Sequence, residues 1–487
     1  MLIAMPHFRK EGNPMPEQSH ISFRFPLGEP PYQDRIYSFL TSPYYIVAVM
    51  ILTAVSNLFG WELLTYSLFV LEGIYTCLWG KDLLPFMPLV FSSYIAPSTK
   101  NNPGRNPDSL FFPENGGIIL ILLAALLVAA LIWHILQHKN RFFSRRPRLL
   151  SGMVALAGAY ILSGIGSNAI PDFLGSNLLF AFIQSCALIV PYWVLWNGIN
   201  WRHVSKDYFC RIGFATGCVL ILEVLGVYLT GNVIVHGVIE RSKIYTGWGM
   251  YNNIGAMLAM MIPFPFYLSI KHHKFWIGIA AGSVFLVGVL MTCSRTSIVT
   301  GFCMYIVCFL LMKRHFPELN LDKKTLLAIG GGCLLVLLIF CAPLLRLFSK
   351  LLELGADPSN RDMLFRDGIE LFRDYPLFGG SFFHPDKKPW GWSTVESFSA
   401  FFPPRWHNTY VQILASCGLV GFFVYIFHRL QTFKLFLSKR SDEHTFIGLS
   451  LLTLLICSLF DCHFFNIGPV LFYSMALAFA ERLRIEE

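Results

Sequence analysis

Three short polar stretches in this 487-residue chain hold side chains whose types and spacing could do chemistry. The first, Arg-Trp-His-Asn-Thr-Tyr at 405–410, puts His407, Asn408 and Tyr410 at the start of an apolar run. The positive end of a helix disfavours imidazolium, so a histidine there stays neutral and can accept a hydroxyl proton. An interfacial histidine beside a capping Asn408 is the plainer alternative. The second stretch sets Arg241 ahead of Gly247, Gly249 and Asn253, again at the mouth of an apolar run. The third opens with Asn360-Arg361 and reaches Asp-Tyr-Pro-Leu-Phe-Gly-Gly at 374–380. Arginine keeps its charge at an interface, and its planar fork matches two phosphate oxygens at once. Arg241 and Arg361 are therefore the candidates for holding a diphosphate. The structural uses of the same residues would be snorkelling of Arg241 and pairing of Arg361 with Asp362 or Asp367. Arg295, in Ser-Arg-Thr at a helix boundary, is a weaker candidate that would also serve as an interface anchor.

The elements that must position these groups belong to a membrane protein. The chain is 55% hydrophobic and 14% charged, against about a quarter charged in a soluble domain. That composition excludes a soluble enzyme, a disordered chain and a coiled coil. The 12 cysteines fall almost entirely in apolar runs, without CxxC or Cys/His metal spacing, and read as small core residues. Apolar runs near the ~20 residues needed to cross a bilayer occur at 43–59, 62–79, 83–97, 118–136, 149–166, 177–197 and 212–230. Others follow at 253–270, 275–293, 297–312, 325–346, 408–428, 445–460 and 467–481. Short runs such as 83–97, with Pro85 and Pro88, suit re-entrant segments. The fold expected is all-α and polytopic, with 12–14 transmembrane helices.

Basic residues orient it. With residues 1–42 inside and strict alternation, inside segments, 429–444 among them, hold 25 of the 38 lysines and arginines. The net charge of +9 then reflects cytoplasmic loops, not nucleic acid. The expected organisation is a cytoplasmic tail 1–42, a membrane domain 43–481 and a cytoplasmic C-terminus 482–487. Within the membrane domain, 346–407 would form one large extracytoplasmic loop. Met363, Phe365, Ile369 and Phe372 share one side of a helical pattern, which predicts amphipathic helices on the outer membrane face. Trp390, Trp392, Trp406 and Tyr410 read as aromatic-belt residues, and His236 and His384 as structural. Glu72 and Glu223 fall within apolar runs, and intramembrane carboxylates are functional candidates by default.

The periplasmic arginine before a G-x-x-x-N helix start, the arginine-led helix ending in P-L-x-G, and H-N-x-Y followed by G-x-x-G resemble the O-antigen ligase and polymerase superfamily. These features span roughly 210–430, and His407-Asn408-x-Tyr410 is the most specific of them. The resemblance implies a GT-C-like membrane glycosyltransferase in the bacterial cytoplasmic (inner) membrane. Its reaction would be metal-independent and cofactor-free, moving a glycan from undecaprenyl diphosphate to a hydroxyl of a glycan or glycolipid acceptor. His407 would be catalytic and Arg241 and Arg361 would bind the diphosphate, with Arg295, Asn253, Asn408 and Tyr410 in support. No Asp-x-Asp cluster lies in the outer segments, as a metal-free reaction would have it. Two rivals remain at this level. A polysaccharide-lipid flippase would have similar halves and midplane polar residues, and a peptidoglycan polymerase would have an acidic base in its large loop.

Overall fold

The computed structural model describes residues 32–59, 61–89, 117–144, 146–167, 174–230, 233–235, 238–246, 249–318, 361–383, 405–438 and 441–486. The tail to 31, the run 325–346 and much of 346–407, with His384, Trp390 and Trp392, lie outside the described residues, as does His236.

Backbone groups in lipid must be satisfied within the chain, and a helix does this residue by residue. The chain begins with α1 (Gln33–Leu40), α2 (Pro43–Phe59), α3 (Glu62–Trp79), α4 (Gly117–Gln137), α5 (Lys139–Ser144) and α6 (Leu150–Ile161). Next come α7 (Leu174–Gly198), α8 (Tyr208–Thr230), α9 (Tyr251–Met261), α10 (Pro263–Lys271), α11 (Phe275–Met291) and α12 (Arg295–Arg314). The described chain closes with α13 (Arg361–Asp374), α14 (Thr409–Ser438), α15 (Asp442–Cys457) and α16 (Ile467–Glu486). Two small antiparallel hairpins join α8 to α9: β1 (Ile234–Val235) pairs with β2 (Val238–Ile239), and β3 (Tyr245–Thr246) with β4 (Gly249–Met250).

Helices form in every expected apolar run that is described except 83–97, where Leu84–Phe86 makes a single 3-10 turn. The protein is all-α and polytopic. Among the described residues, five helices are long and apolar enough to cross a membrane: Asn177–Gly198, Tyr208–Leu229, Tyr251–Lys271, Arg295–Arg314 and Thr409–Leu437. A sixth results if α1 and α2, bent by 72°, count together. The shortfall from the expected 12–14 has a length component: α6 has 12 residues and α15 has 16, below the ~20 that cross the hydrocarbon.

The core gathers around α16, in which residues 472–483 are all buried. Its two buried charges, Glu481 and Arg482, are satisfied internally. Glu481 accepts from the backbone N–H of Arg148 at 2.7 Å and from the Tyr192 hydroxyl. Arg482 Nε donates to the Trp196 carbonyl at 3.1 Å, and its guanidinium stacks on the Trp196 ring at 3.9 Å.

One helix is broken. In α14 Gly418 leaves helical geometry at φ 62°, ψ −159°, which frees backbone groups inside the bundle. The segment 376–381 takes them up: Leu419 N–H donates to the Pro376 carbonyl at 2.8 Å and Val420 N–H to that of Leu377 at 3.2 Å. In return Gly380 N–H donates to the Ala415 carbonyl at 2.7 Å and Ser381 N–H to that of Ser416 at 3.2 Å. The P-L-x-G and G-x-x-G sequences are thus two halves of one crossing.

Helix α13 corrects the expected amphipathic face. Its buried stripe is Leu364, Gly368 and Leu371, while Met363 is exposed and Phe365, Ile369 and Phe372 are half-buried. The stripe packs on α14 and its lead-in, where Leu371 clusters with Trp406 and Ala415. A Cβ added at Gly368 would lie 2.6 Å from Val411 and 3.3 Å from Trp406. Trp406 is accordingly a core residue, not part of an aromatic belt.

Replacing Gly418 by Ala should unfold this crossing. The residue has positive φ, and a Cβ would sit 2.4 Å from the Leu377 carbonyl oxygen. The backbone conformation alone costs about 1–3 kcal/mol for a non-glycine residue. Thermal unfolding in detergent should show a clear drop in Tm, and an unchanged Tm would contradict the crossing.

Candidate active site

The lead-in to α14 and the turn between α15 and α16 are laced together at one end of the bundle. Asn408 caps α14: its Oδ1 accepts from the N–H groups of Tyr410 at 2.8 Å and Val411 at 3.1 Å. Its Nδ2 donates to the Leu459 carbonyl at 2.8 Å, and Thr409 N–H to that of Ser458 at 3.0 Å. Immediately before the cap, His407 holds a left-handed backbone at φ 50°, which L residues seldom adopt. Its ring is thereby turned toward the neighbouring turn.

There it meets Asp461. His407 Nδ1 lies 3.2 Å from Asp461 Oδ1, with the two side chains 38% and 9% exposed. Asp461 also accepts from Asn252 Nδ2 at 3.0 Å and from the Cys462 N–H at 2.7 Å. Burial alone would raise this carboxyl. The His407 hydrogen bond, the neighbouring His463 and His407, and the Cys462 N–H outweigh it and hold Asp461 well below the usual carboxylate range. A carboxylate depressed in this way stabilises the fold at every pH above about 4, and that contribution fades only below it. Asp461 therefore stays ionised and can only accept. Facing that carboxylate, His407 Nδ1 is the donor, and in a neutral ring the lone pair is then on Nε2. Nε2 makes no hydrogen bond among the described residues.

The same turn anchors α9. His463 Nδ1 donates to Asn253 Oδ1 at 2.9 Å, and Asn466 Nδ2 to the same oxygen at 2.5 Å. Cys462 is buried, and burial and then the Asp461 charge push its thiol up to about 12, so it stays protonated and is no nucleophile.

Arg241 stands at the start of α9. The Arg241 guanidinium lies 5.2 Å from the centre of the Tyr251 ring, which begins that helix. The adjacent Glu240 is paired with Lys243 at 3.0 Å, and no carboxylate pairs with Arg241 among the described residues. Arg295 opens α12, whose lead-in touches α9: a Cβ at Gly255 would lie 2.7 Å from Thr292 and 2.9 Å from Ser297. Arg361 opens α13. Because Gly368 meets Val411 and Gly380 bonds to Ala415, the N-terminus of α13 points to the bundle end that carries His407.

Of the residues expected from sequence, the structure brings His407, Asn408 and Asn253 into one hydrogen-bonded assembly and sets Arg241 and Arg295 at its margin. Tyr410 instead packs edge-on against Tyr425 at 5.6 Å. Glu72 accepts from Thr76 at 2.9 Å, one turn along its own helix. Asp461, His463, Asn466 and the role of Asn252 were not expected. The signal was available in Phe-Asp-Cys-His-Phe-Phe-Asn at 460–466, a short polar turn between two apolar runs. Among the described residues, no three His, Cys, Asp or Glu side chains gather as metal ligands.

Residues 280–426 match the family model described as O-antigen ligase. The matched stretch contains Arg295, Arg361, His407, Asn408 and Tyr410, and it stops between Asp461 on one side and Arg241 and Asn253 on the other. A comparison with curated proteins found no match.

If Asp461 orients His407, Asp461→Asn should keep the fold but present an amide N–H where acceptors are needed. Turnover should fall on the order of 10²-fold, within the ~10²–10⁴-fold that a positioned base contributes. His407→Gln should fall at least as far, and the double variant no further than the worse single one. Independent, multiplying losses in purified protein would refute the dyad.

Proposed function

We propose, for a chain that belongs to the O-antigen ligase and polymerase superfamily, glycan transfer from undecaprenyl diphosphate to a hydroxyl of a glycan or glycolipid acceptor. The coarser role, a membrane enzyme of glycosyltransferase type in cell-surface polysaccharide assembly, follows from the family. The observation that carries the finer reading is the His407–Asp461 pair, an oriented imidazole with a free Nε2. A carrier has no need of such a base, and this favours chemistry over flipping.

In this reading the acceptor oxygen attacks the anomeric carbon of the donor. The new C–O bond forms as the bond from that carbon to the diphosphate oxygen breaks. The hydroxyl proton passes to His407 Nε2, and Asp461 stabilises the imidazolium that results. Arg241 and Arg361 hold the diphosphate and neutralise the charge it gains on leaving, with Arg295 in support. Asn253 and Asn408 act through position: one ties α9 to the 461–466 turn and the other caps the helix behind His407. Because arginine supplies the positive charge, the proposed reaction needs no metal and no cofactor.

The proposed setting is the outer face of the bacterial cytoplasmic membrane, with both termini cytoplasmic. The divisions proposed with it are a tail 1–42, a membrane domain 43–481, an outer loop 346–407 within it and a C-terminus 482–487. Helix alternation supports one part of this, since α14 begins and α15 ends at the His407 assembly.

Arg241→Ala and Arg361→Ala should each abolish transfer with membrane insertion intact. Lys replacements should recover only part, since an ammonium lacks the bidentate fork. Wild-type turnover should persist in excess chelator. An Ala variant with normal turnover in a purified assay would reduce that arginine to an anchor. Topology is tested by cysteine labelling: positions 240 and 385 should react with an impermeant maleimide from outside, and 143 and 205 only after permeabilisation. The reverse pattern would put His407 on the wrong side for the reaction.

A further inference from the structure

The end of the bundle opposite the candidate active site carries a surface that the proposed chemistry does not use. Helix α16 starts beside the Asp461 turn at Ile467. Its Glu481, about 21 Å further along at the helical rise, bonds the backbone N–H of Arg148. Helix α5 ends just before Arg148, and α1 lies across from it, the two meeting at Asp82. The Tyr37 hydroxyl of α1 donates to the Asp82 carboxylate, and Arg141 of α5 faces the same group. Asp82 is buried and also accepts from the Leu84 N–H at 2.8 Å. Gln33 Nε2 ties α1 to the Trp79 carbonyl at 2.6 Å.

Turned by 72° from α2, α1 lies near the membrane plane once α2 crosses the bilayer. At about 100° of rotation per residue its side chains fall into three sectors. Gln33, Tyr37 and Leu40 point into the protein, as their bonds and burial show. Ile36 and Phe39, with Tyr32 just ahead of the helix, form an exposed apolar sector. Asp34, Arg35 and Ser38 form an exposed polar one. A helix in water has no reason to sort its exposed residues in this way. A helix in the headgroup layer must, with one side to protein, one to acyl chains and one to water.

Helix α5 supplies the charge. Phe142 packs into a small core with Leu83, Ala130 and Val194, and the next residue, Phe143, stands outward at 67% exposure. Around it the stretch 138–148 holds Lys139, Arg141, Arg145, Arg146 and Arg148 and no acidic residue. Lys139, Arg146 and Arg148 are exposed, and no carboxylate pairs with them among the described residues. The acids of this corner are already engaged: Asp34 by Lys81 at 2.8 Å, Asp82 and Glu481 by the bonds above.

We infer that α1 and α5 form a binding surface for anionic phospholipids in the leaflet opposite the candidate active site. The cations fix the sign of the partner, and the apolar side chains beside them fix its kind. A soluble phosphate compound would be met by charge alone, whereas Ile36, Phe39 and Phe143 call for acyl chains next to the phosphates. Each Lys or Arg held at a membrane surface strengthens the attraction to anionic lipid by about fivefold. In the proposed orientation this is the cytoplasmic leaflet, and the inference does not depend on the proposed reaction.

The test uses the full chain in phosphatidylcholine vesicles, with a genetically encoded fluorescent residue in place of Phe39, Ser38 or Asn140, one at a time. The probe at 39 should be quenched by doxyl groups on lipid chains and shielded from iodide, and the probe at 38 should show the reverse. The probe at 140 should respond to trace doxyl-phosphatidylglycerol about tenfold more strongly than to doxyl-phosphatidylcholine, the attraction of three cations reduced by screening. Lys139→Gln, Arg146→Gln and Arg148→Gln together should bring that ratio to within about twofold and leave the quenching at 39 unchanged. If the triple variant fails to insert, the pair Lys139→Gln and Arg146→Gln should lower the ratio to about threefold. Iodide quenching at both 38 and 39 would put α1 in water and overturn the inference. An equal response to the two lipids in the chain with all its cations would do the same. So would loss of the preference on adding inorganic diphosphate at constant ionic strength, which would mark a site for soluble phosphate.

Discussion

A helix that breaks inside a bilayer must find new partners for its backbone, because no water is there to take them. The break at Gly418 in α14 imposes this constraint on the rest of the molecule. The freed groups are met by 376–381, which fixes α13 against α14. That contact in turn buries Trp406 and holds the residues just before the helix start. His407 then has a defined backbone, φ 50° included, and its ring has one direction to face. Packing decisions made ten residues away thus become the aim of one imidazole.

The counterpart is electrostatic. Asp461 is buried among donors: an imidazole, an amide and a backbone N–H. Each would be costly to leave unpaired, and together they make ionisation of the carboxyl the favourable state. The cluster also joins α9, α14 and the α15–α16 turn through side chains rather than apolar contact, in a bundle where lipid is as apolar as the core. The same bonds that orient the His407 ring therefore also hold three elements in register.

Much of this was legible in the residues. Apolar runs marked almost every described helix, because length and hydropathy decide insertion. The Asn408 cap, the placement of Asn253 at a helix mouth and that of His407 at a helix start followed from local chemistry. The carboxylate did not, since Asp461 is 54 positions from His407 and nothing local ties the two. The buried face of α13 was misread for a different reason. A glycine scores as neutral in an apolar count, yet at Gly368 an added Cβ would lie only 2.6 Å from Val411 on the facing helix. Arg429 looked like the end of a run because charge usually ends one. Three rings contributed from separate elements, α14, the turn and α16, let the helix carry it onward.

The most buried element, α16, is also the last described in chain order. During synthesis every earlier helix must enter the membrane with its α16-facing surface uncovered, including the tyrosine and tryptophan that later bind Glu481 and Arg482. Until α16 packs, the bundle is an open shell with lipid in place of its centre. The turn bearing Asp461 is fixed in the same event. Packing of α16 and placement of the His407–Asp461 pair are thereby coupled.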